Sequence, residues 1–200
     1  MSLSSELKES TSAYHVKAEK HPWVRMLMKK ELTLTAYYQY LSRLLPVYQA
    51  LENALIDAPV DLAFDNRLMR TTKIKQDLDY LRHLGMNTIS LEDGAYGAYM
   101  KTLPNKPWPS LVGHVYARYF GDMQGGRFIK NILKAHYHIE DEGLNFYDFN
   151  TFYDAYPEGI GMLRSTIDAL NLSNTERSDV IKSAKKAFVL TYQTMTESLN

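Results

Sequence analysis

Apolar side chains recur every three or four positions along nearly all of the chain, and strict two-residue alternation is almost absent. That spacing draws one apolar stripe along a helix and leaves a strand without a buried face, so the sequence reads as all-α. A first helix runs from about Ser4 or Ser5 to Lys20, turns Leu7, Tyr14 and Ala18 inward, and stops before His21-Pro22. A second extends from Thr33 or Thr35 to about Ile56 with Pro46 inside it, where a missing backbone donor predicts a kink. A third covers about Asn66 to Leu84 and ends at Gly85, a natural left-handed cap. A short helix from Ser90 to about Leu103 precedes a rigid, proline-rich loop at 104–109. The next begins at Ser110 and reaches about His138, interrupted by glycines at 121, 125 and 126. Two more follow, about Glu158–Leu170 and Thr175–Leu199, the last capped by Ser173 or Asn174.

The 200 residues fit one domain, spanning residues 1–200, that buries a sizeable core. With 23 Lys+Arg against 23 Asp+Glu there is no basic excess for coating nucleic acid. The absence of cysteine excludes disulfide scaffolds, thiolate nucleophiles and Cys-ligated zinc or iron–sulfur clusters. Neither a leader-like apolar segment at the start nor a run of ~20 apolar residues is present. A soluble, cytoplasmic, monomeric protein with no membrane contact is the expectation.

Two segments carry chemistry. On the first helix Lys8, His15 and Glu19 fall within about 20° of a common line, placing an ammonium, an imidazole and a carboxylate on one stripe. A carboxylate one turn beyond a histidine accepts its free ring N–H and makes the other nitrogen a better metal donor. The spacing alone fits an ordinary solvated helix face, and a lone histidine needs a second constellation beside it. The second segment is Tyr116-Ala-Arg-Tyr-Phe-Gly-Asp-Met-Gln-Gly-Gly126. Three glycines in six residues cost up to about 1 kcal/mol each in a helix interior and need compensation. Either another helix packs closely on the small face, or a flat ligand lies against exposed backbone of a bent helix. Arg118 and Asp122, one turn apart, flank that face as a charged pair.

Together these segments resemble the heme oxygenase family. Thr11-Ser-Ala-Tyr-His15-Val-Lys-Ala-Glu19 is similar to its proximal-helix motif. The segment 116–126 is similar to its distal motif Tyr-x-Arg-Tyr-Leu-Gly-Asp-x-x-Gly-Gly, with Phe120 the one change among eight fixed positions. The likeness extends weakly over nearly the whole chain. It implies a compact all-α fold with heme between the first helix and a kinked distal helix. It also implies oxidative cleavage of heme, as both substrate and cofactor, to biliverdin, carbon monoxide and ferrous iron. His15 is then the axial iron ligand and Glu19 the acceptor of its second ring proton. Gly121 and Gly125 bring the distal backbone onto the ring, with Gly126 beside it. Asp122 holds distal water, with Arg118 and Tyr48 in one network. Lys8, Tyr116 and Arg164 meet the propionates, and Phe188 walls the pocket.

The chain departs from the family at Ser12 and Ile160, where basic residues are common, and at Met69, where animal members have a histidine. The first two weaken the propionate clamp and leave open which meso carbon is cut. Molecular oxygen and an electron donor, a flavin reductase or a ferredoxin, are the implied partners. The alternative is a heme carrier or sensor on the same fold, which needs His15 but not Asp122 with the glycine face. Thiamin-degrading relatives need a cysteine, and di-iron relatives need Glu/His pairs that are missing. Tyr37, Tyr38, Tyr40 and Tyr48 are expected to pack with their hydroxyls at the surface, and Trp23 and Trp108 to pack in loops.

Overall fold

In the computed structural model, which describes residues 1–58, 65–86 and 93–200, the elements are helices, with no strand among the described residues. Helix α1 is Leu3–Glu19, α2 Pro22–Met28, α3 Leu34–Ile56, α4 Thr71–His83 and α5 Ala95–Met100. Next come α6 Pro109–Val115, a π-helical turn Tyr116–Phe120, α7 Gly121–Tyr137, α8 Asn150–Ala155, α9 Ile160–Asp168 and α10 Asn174–Glu197. Single 3₁₀ turns at Asn66–Leu68, Leu103–Asn105, Asp141–Gly143 and Asn145–Tyr147 join them. No helix among the described residues is long and apolar enough to cross a membrane.

The core is organised around α10, which packs on α1, α3, α5, α6 and the π turn. Its closest neighbour is α6, because a Cβ at Gly113 would collide with Ser183 and the backbone of Val180 and Ala184. Only a glycine lets the two axes approach this far. One cluster of buried apolar side chains then runs through α3 (Leu41, Leu44, Val47, Leu51), α6 (Leu111, Val112, Val115) and α10 (Val180, Ala184, Ala187, Leu190). Helix α10 opens with a capping box, in which the Ser173 side chain accepts from Glu176 N while Glu176 reaches back to Ser173. Helix α1 is tied to α9 at its start, where Ser4 N and Oγ donate to Asp168 at 2.7 and 2.8 Å. That anchor puts the Lys8 and Arg164 ends of the two helices on one rim.

Several expectations change in detail. Helix α2, beginning at Pro22 with His21 as its N-cap, adds a helix that holds Trp23 buried rather than in a loop. Helix α8 is also additional. Helix α4 starts at Thr71, not Asn66; Glu52 of α3 accepts from the backbone N–H of Arg70 and Thr71 and caps it from outside. Gly85 at φ +89° ends that helix region as expected. Helix α3 continues through Pro46. The short helix expected from Ser90 has its start outside the described residues. The glycines at 121, 125 and 126 do not break the helix. Residues from Pro109 to Tyr137 stay helical, and the irregularity is the π turn just before the first glycine. The four tyrosines of α3 are buried rather than surface-tipped, each no more than 6% exposed.

Candidate active site

Helices α1, α7, α9 and α10 and the π turn enclose a cavity of about 450 Å³, within the size range of small-molecule sites. Its lining includes Lys8, Ser12 and His15 from α1, Tyr116 and Phe120 from the π turn, and Gln124 from α7. Arg164 and Phe188 complete it from α9 and α10. Five side chains singled out in the sequence, Lys8, His15, Tyr116, Arg164 and Phe188, thus share one space. Ser12 replaces a cation inside it with a small hydroxyl. Ile160, the other departure from the clamp, is the first residue of α9 and half-buried.

His15 stands on the α1 wall with half its side chain exposed, Nδ1 3.5 Å from Glu19 Oε1. Phe188 meets the imidazole edge-on with ring centroids 6.1 Å apart. Among the described residues Nε2 has no hydrogen-bond partner, so one ring nitrogen is uncommitted. Glu19 does not line the cavity; it acts on His15 from one turn away. Burial raises the Tyr116 phenol above its ordinary pKa, while Thr11 and Arg164 pull the other way.

The three glycines separate by role. A Cβ at Gly121 or Gly125 would meet no heavy atom within 4 Å, so the α7 backbone faces open space at both. Gly126 is different: its Cβ would stand 2.7 Å from Tyr147 Cδ1. Its small size serves packing against Tyr147. The π turn explains why this stretch can present bare backbone, since one extra residue per turn shifts the side-chain register where the helix bends.

Arg118 and Asp122 project from the adjacent face of that helix and meet Tyr48 of α3, outside the cavity lining and inside the protein. Arg118 Nη2 reaches Asp122 Oδ1 and Oδ2 at 2.9 and 3.0 Å, and Tyr48 Oη donates to Oδ2. Arg118 Nη1 donates to Thr191 Oγ1 of α10 at 3.2 Å, while its Nε is buried without a partner among the described residues. Burial pushes the Asp122 carboxyl above its usual range even though Arg118 and Tyr48 favour the anion. Burial also opposes the Arg118 charge, but Asp122 and then Tyr48 hold the guanidinium protonated well above its ordinary value. Tyr48 is raised well above an ordinary phenol by burial. The result is a carboxylate fixed in direction from two sides, able to hold a proton near a ligand space. Met69, the third departure, follows the Asn66–Leu68 turn.

Sequence reasoning missed Phe120, Gln124 and Thr191. The signal for the first two was their spacing of four residues on the turns flanking Gly121. For Thr191 it was its position one turn beyond Phe188.

Comparison with known proteins follows the same lines. The heme oxygenase family model matches residues 1–197. A heme oxygenase of Porphyra purpurea is 30% identical over 209 aligned residues, spanning 100% of this chain and 87% of that protein. Heme oxygenase 1 of Homo sapiens is 30% identical, spanning 98% of this chain and 71% of that protein. The crystal structure of heme oxygenase-2 from Synechocystis in complex with heme and NO superposes with a TM-score of 0.89 at 24% identity, covering 99% of this chain and 85% of that one. With the family pattern matched from end to end and the fold shared, the chain belongs to the heme oxygenase family.

Proposed function

We propose that this heme oxygenase binds heme in the α1/α7 cavity with His15 Nε2 on the iron and cleaves it to biliverdin, carbon monoxide and ferrous iron. The observation that carries this reading is one cavity joining an uncommitted imidazole nitrogen and two cationic side chains, bordered through Gln124 by an α7 segment whose bare glycines face open space and whose next face carries a buried carboxylate. Bound there, heme supplies the iron that activates molecular oxygen and the carbon skeleton that is cut.

The protein's part is positioning and proton control. Glu19 favours the proton on Nδ1 of His15 and leaves the Nε2 lone pair for the metal. Lys8 and Arg164 offer charge to two carboxylates, and Tyr116 adds a phenolic donor between them. Gly121 and Gly125 let the distal backbone come within contact of a flat ring. Asp122 acts through water: Arg118 and Tyr48 fix its direction, and its raised pKa suits it to holding and passing a proton. Electrons come from a separate donor, a flavin reductase or a ferredoxin, and the enzyme works as a cytoplasmic monomer. A carrier or sensor would have no use for a charged pair buried behind the glycine face.

The test is hemin added to the purified protein, then ascorbate in air with an iron chelator, followed by visible spectroscopy. The expected result is stoichiometric binding with a sharp Soret band that decays as a biliverdin band grows. Asp122→Asn should keep hemin binding and lose roughly 10²-fold or more of the biliverdin rate. His15→Ala should alter the Soret spectrum itself. A stable Soret band without bilin would leave a carrier, wild-type turnover in Asp122→Asn would remove Asp122 from the mechanism, and no hemin binding would end the reading.

A further inference from the structure

We propose that a second pocket, on the face of α10 turned away from Phe188, binds a small di- or polyphosphate. Tyr99, Lys106, Pro107, Ser110, Asp179, Lys182, Ser183 and Lys186 line it around about 320 Å³. On α10 the lining positions 179, 182, 183 and 186 point 120° or more away from Phe188, so this space is separate from the His15 cavity. None of its residues lines that cavity.

The charge pattern specifies an anion. Three ammonium groups face one carboxylate, in a chain whose 23 cationic and 23 acidic side chains otherwise balance. Lys182 Nζ stands 3.8 Å from Asp179 Oδ1, the one ion pair in the pocket among the described residues. Lys106 Nζ and Lys186 Nζ lie 5.6 and 5.4 Å from the centroid of the same Tyr99 ring, hence at most 11.0 Å from one another. Neither has a carboxylate partner among the described residues. Like charges so placed repel, and Lys182 and Lys186 repel again as neighbours one turn apart. A multiply charged anion seated between them converts that repulsion into attraction. The ring is firmly held: Tyr99 packs on buried His114 with centroids 5.5 Å apart. Two ammonium groups and the His114 ring already crowd that ring, which disfavours the stacking of a base. Pro107 supplies the remaining apolar wall. The size and charge therefore favour a compact phosphate chain over a nucleotide or a lone monoanion.

Isothermal titration of the full chain with pyrophosphate at low ionic strength tests this, without heme and so independently of the oxygenase reading. The expected result is saturable 1:1 binding that weakens as salt is raised. The Lys106→Gln/Lys186→Gln double variant should raise Kd at least about tenfold, while Lys75→Gln, exposed on α4, should leave it unchanged. Circular dichroism would check that both variants stay folded. No saturation by about 10 mM pyrophosphate, or equal binding by the double variant, overturns the proposal. So does ATP binding far tighter than tripolyphosphate with adenosine competing, which would make the site a nucleotide site. Preference for an oligo-glutamate peptide over pyrophosphate would overturn it too, in favour of an acidic protein partner.

Discussion

The two walls of the heme-oxygenase cavity are built on different energy scales. On the α1 wall the His15 and Glu19 side chains are 50% and 63% exposed. A pair in that setting contributes about 0–1 kcal/mol to the fold. Behind the α7 wall Arg118 and Asp122 are 4% and 11% exposed and locked by Tyr48 and Thr191. There each charge depends on its partner, and removing one strands the other in a medium that cannot solvate it. The α1 wall is thus a set of groups that folding leaves uncommitted, whereas the network behind α7 is completed by folding itself.

The largest test of that contrast is stability without ligand. Arg118→Met leaves Asp122 buried without its cation and should cost about 3–5 kcal/mol, a fall of roughly 10 °C in melting temperature at this chain length. His15→Ala, by the same scanning calorimetry, should melt within about 1 °C of the parent, because an exposed pair adds little. Equal losses in the two variants would erase the distinction.

Acid should find another group that folding has buried, on α6. His114 is fully buried, its Nδ1 2.9 Å from Tyr96 Oη and its Nε2 without a partner among the described residues. Burial lowers its pKa from 6.5 to about 4. The unfolded chain takes up this proton below pH 6.5 and the folded protein resists until about 4. The contribution of His114 is therefore intact above 6.5 and is lost as pH falls between those values, by at most about 1.4 kcal/mol per pH unit and about 3 kcal/mol in all. Denaturant melts of the parent and of His114→Phe across that window should diverge by this slope. Parallel profiles would mean that His114 is not held neutral by the fold.

How much of this the sequence could disclose depended on whether the cause was local. The helix cap at Ser173 (left open there against Asn174), the Gly85 cap and the Lys8–His15–Glu19 stripe are set by residues within a turn or three of one another, and all were legible. The start of α4 was not, because its cap is Glu52, on another helix. Arg70 also spends its guanidinium on the carbonyls of Leu68, Phe146 and Asp148, holding 66–70 out of the helix. The α3 tyrosines misled for a similar reason: Tyr48 finds Asp122, and Tyr38 accepts from Arg82 Nε at 3.1 Å. These two hydroxyls assigned to water thus have partners inside the protein, while Tyr37 Oη is buried without one among the described residues. In the site, His15 and Tyr116 were visible in motifs and Lys8 by its helical spacing, whereas Arg164 and Phe188 followed only from the family resemblance. The π turn was not, since no residue type marks where a helix takes up one extra position.

The finest test separates glycines that a motif treats alike. Gly121→Ala puts its methyl into open space, so the ligand-free protein should be unchanged or gain up to about 1 kcal/mol from the better helix former. Gly126→Ala drives its methyl to 2.7 Å from the Tyr147 ring, which itself packs on Phe146 at 4.6 Å between centroids. That overpacking should cost about 1–3 kcal/mol, reduced by the same helix gain. Hemin turnover should run the other way. Gly121→Ala should lose activity about 10–100-fold, because a methyl between backbone and ring displaces the reacting atoms. Gly126→Ala should keep its rate per folded molecule. The pair of readouts, urea midpoint and biliverdin rate, must cross for the assignment to stand. If Gly121→Ala were the less stable variant with normal turnover, the open face of α7 would be a packing surface and the ligand would lie elsewhere.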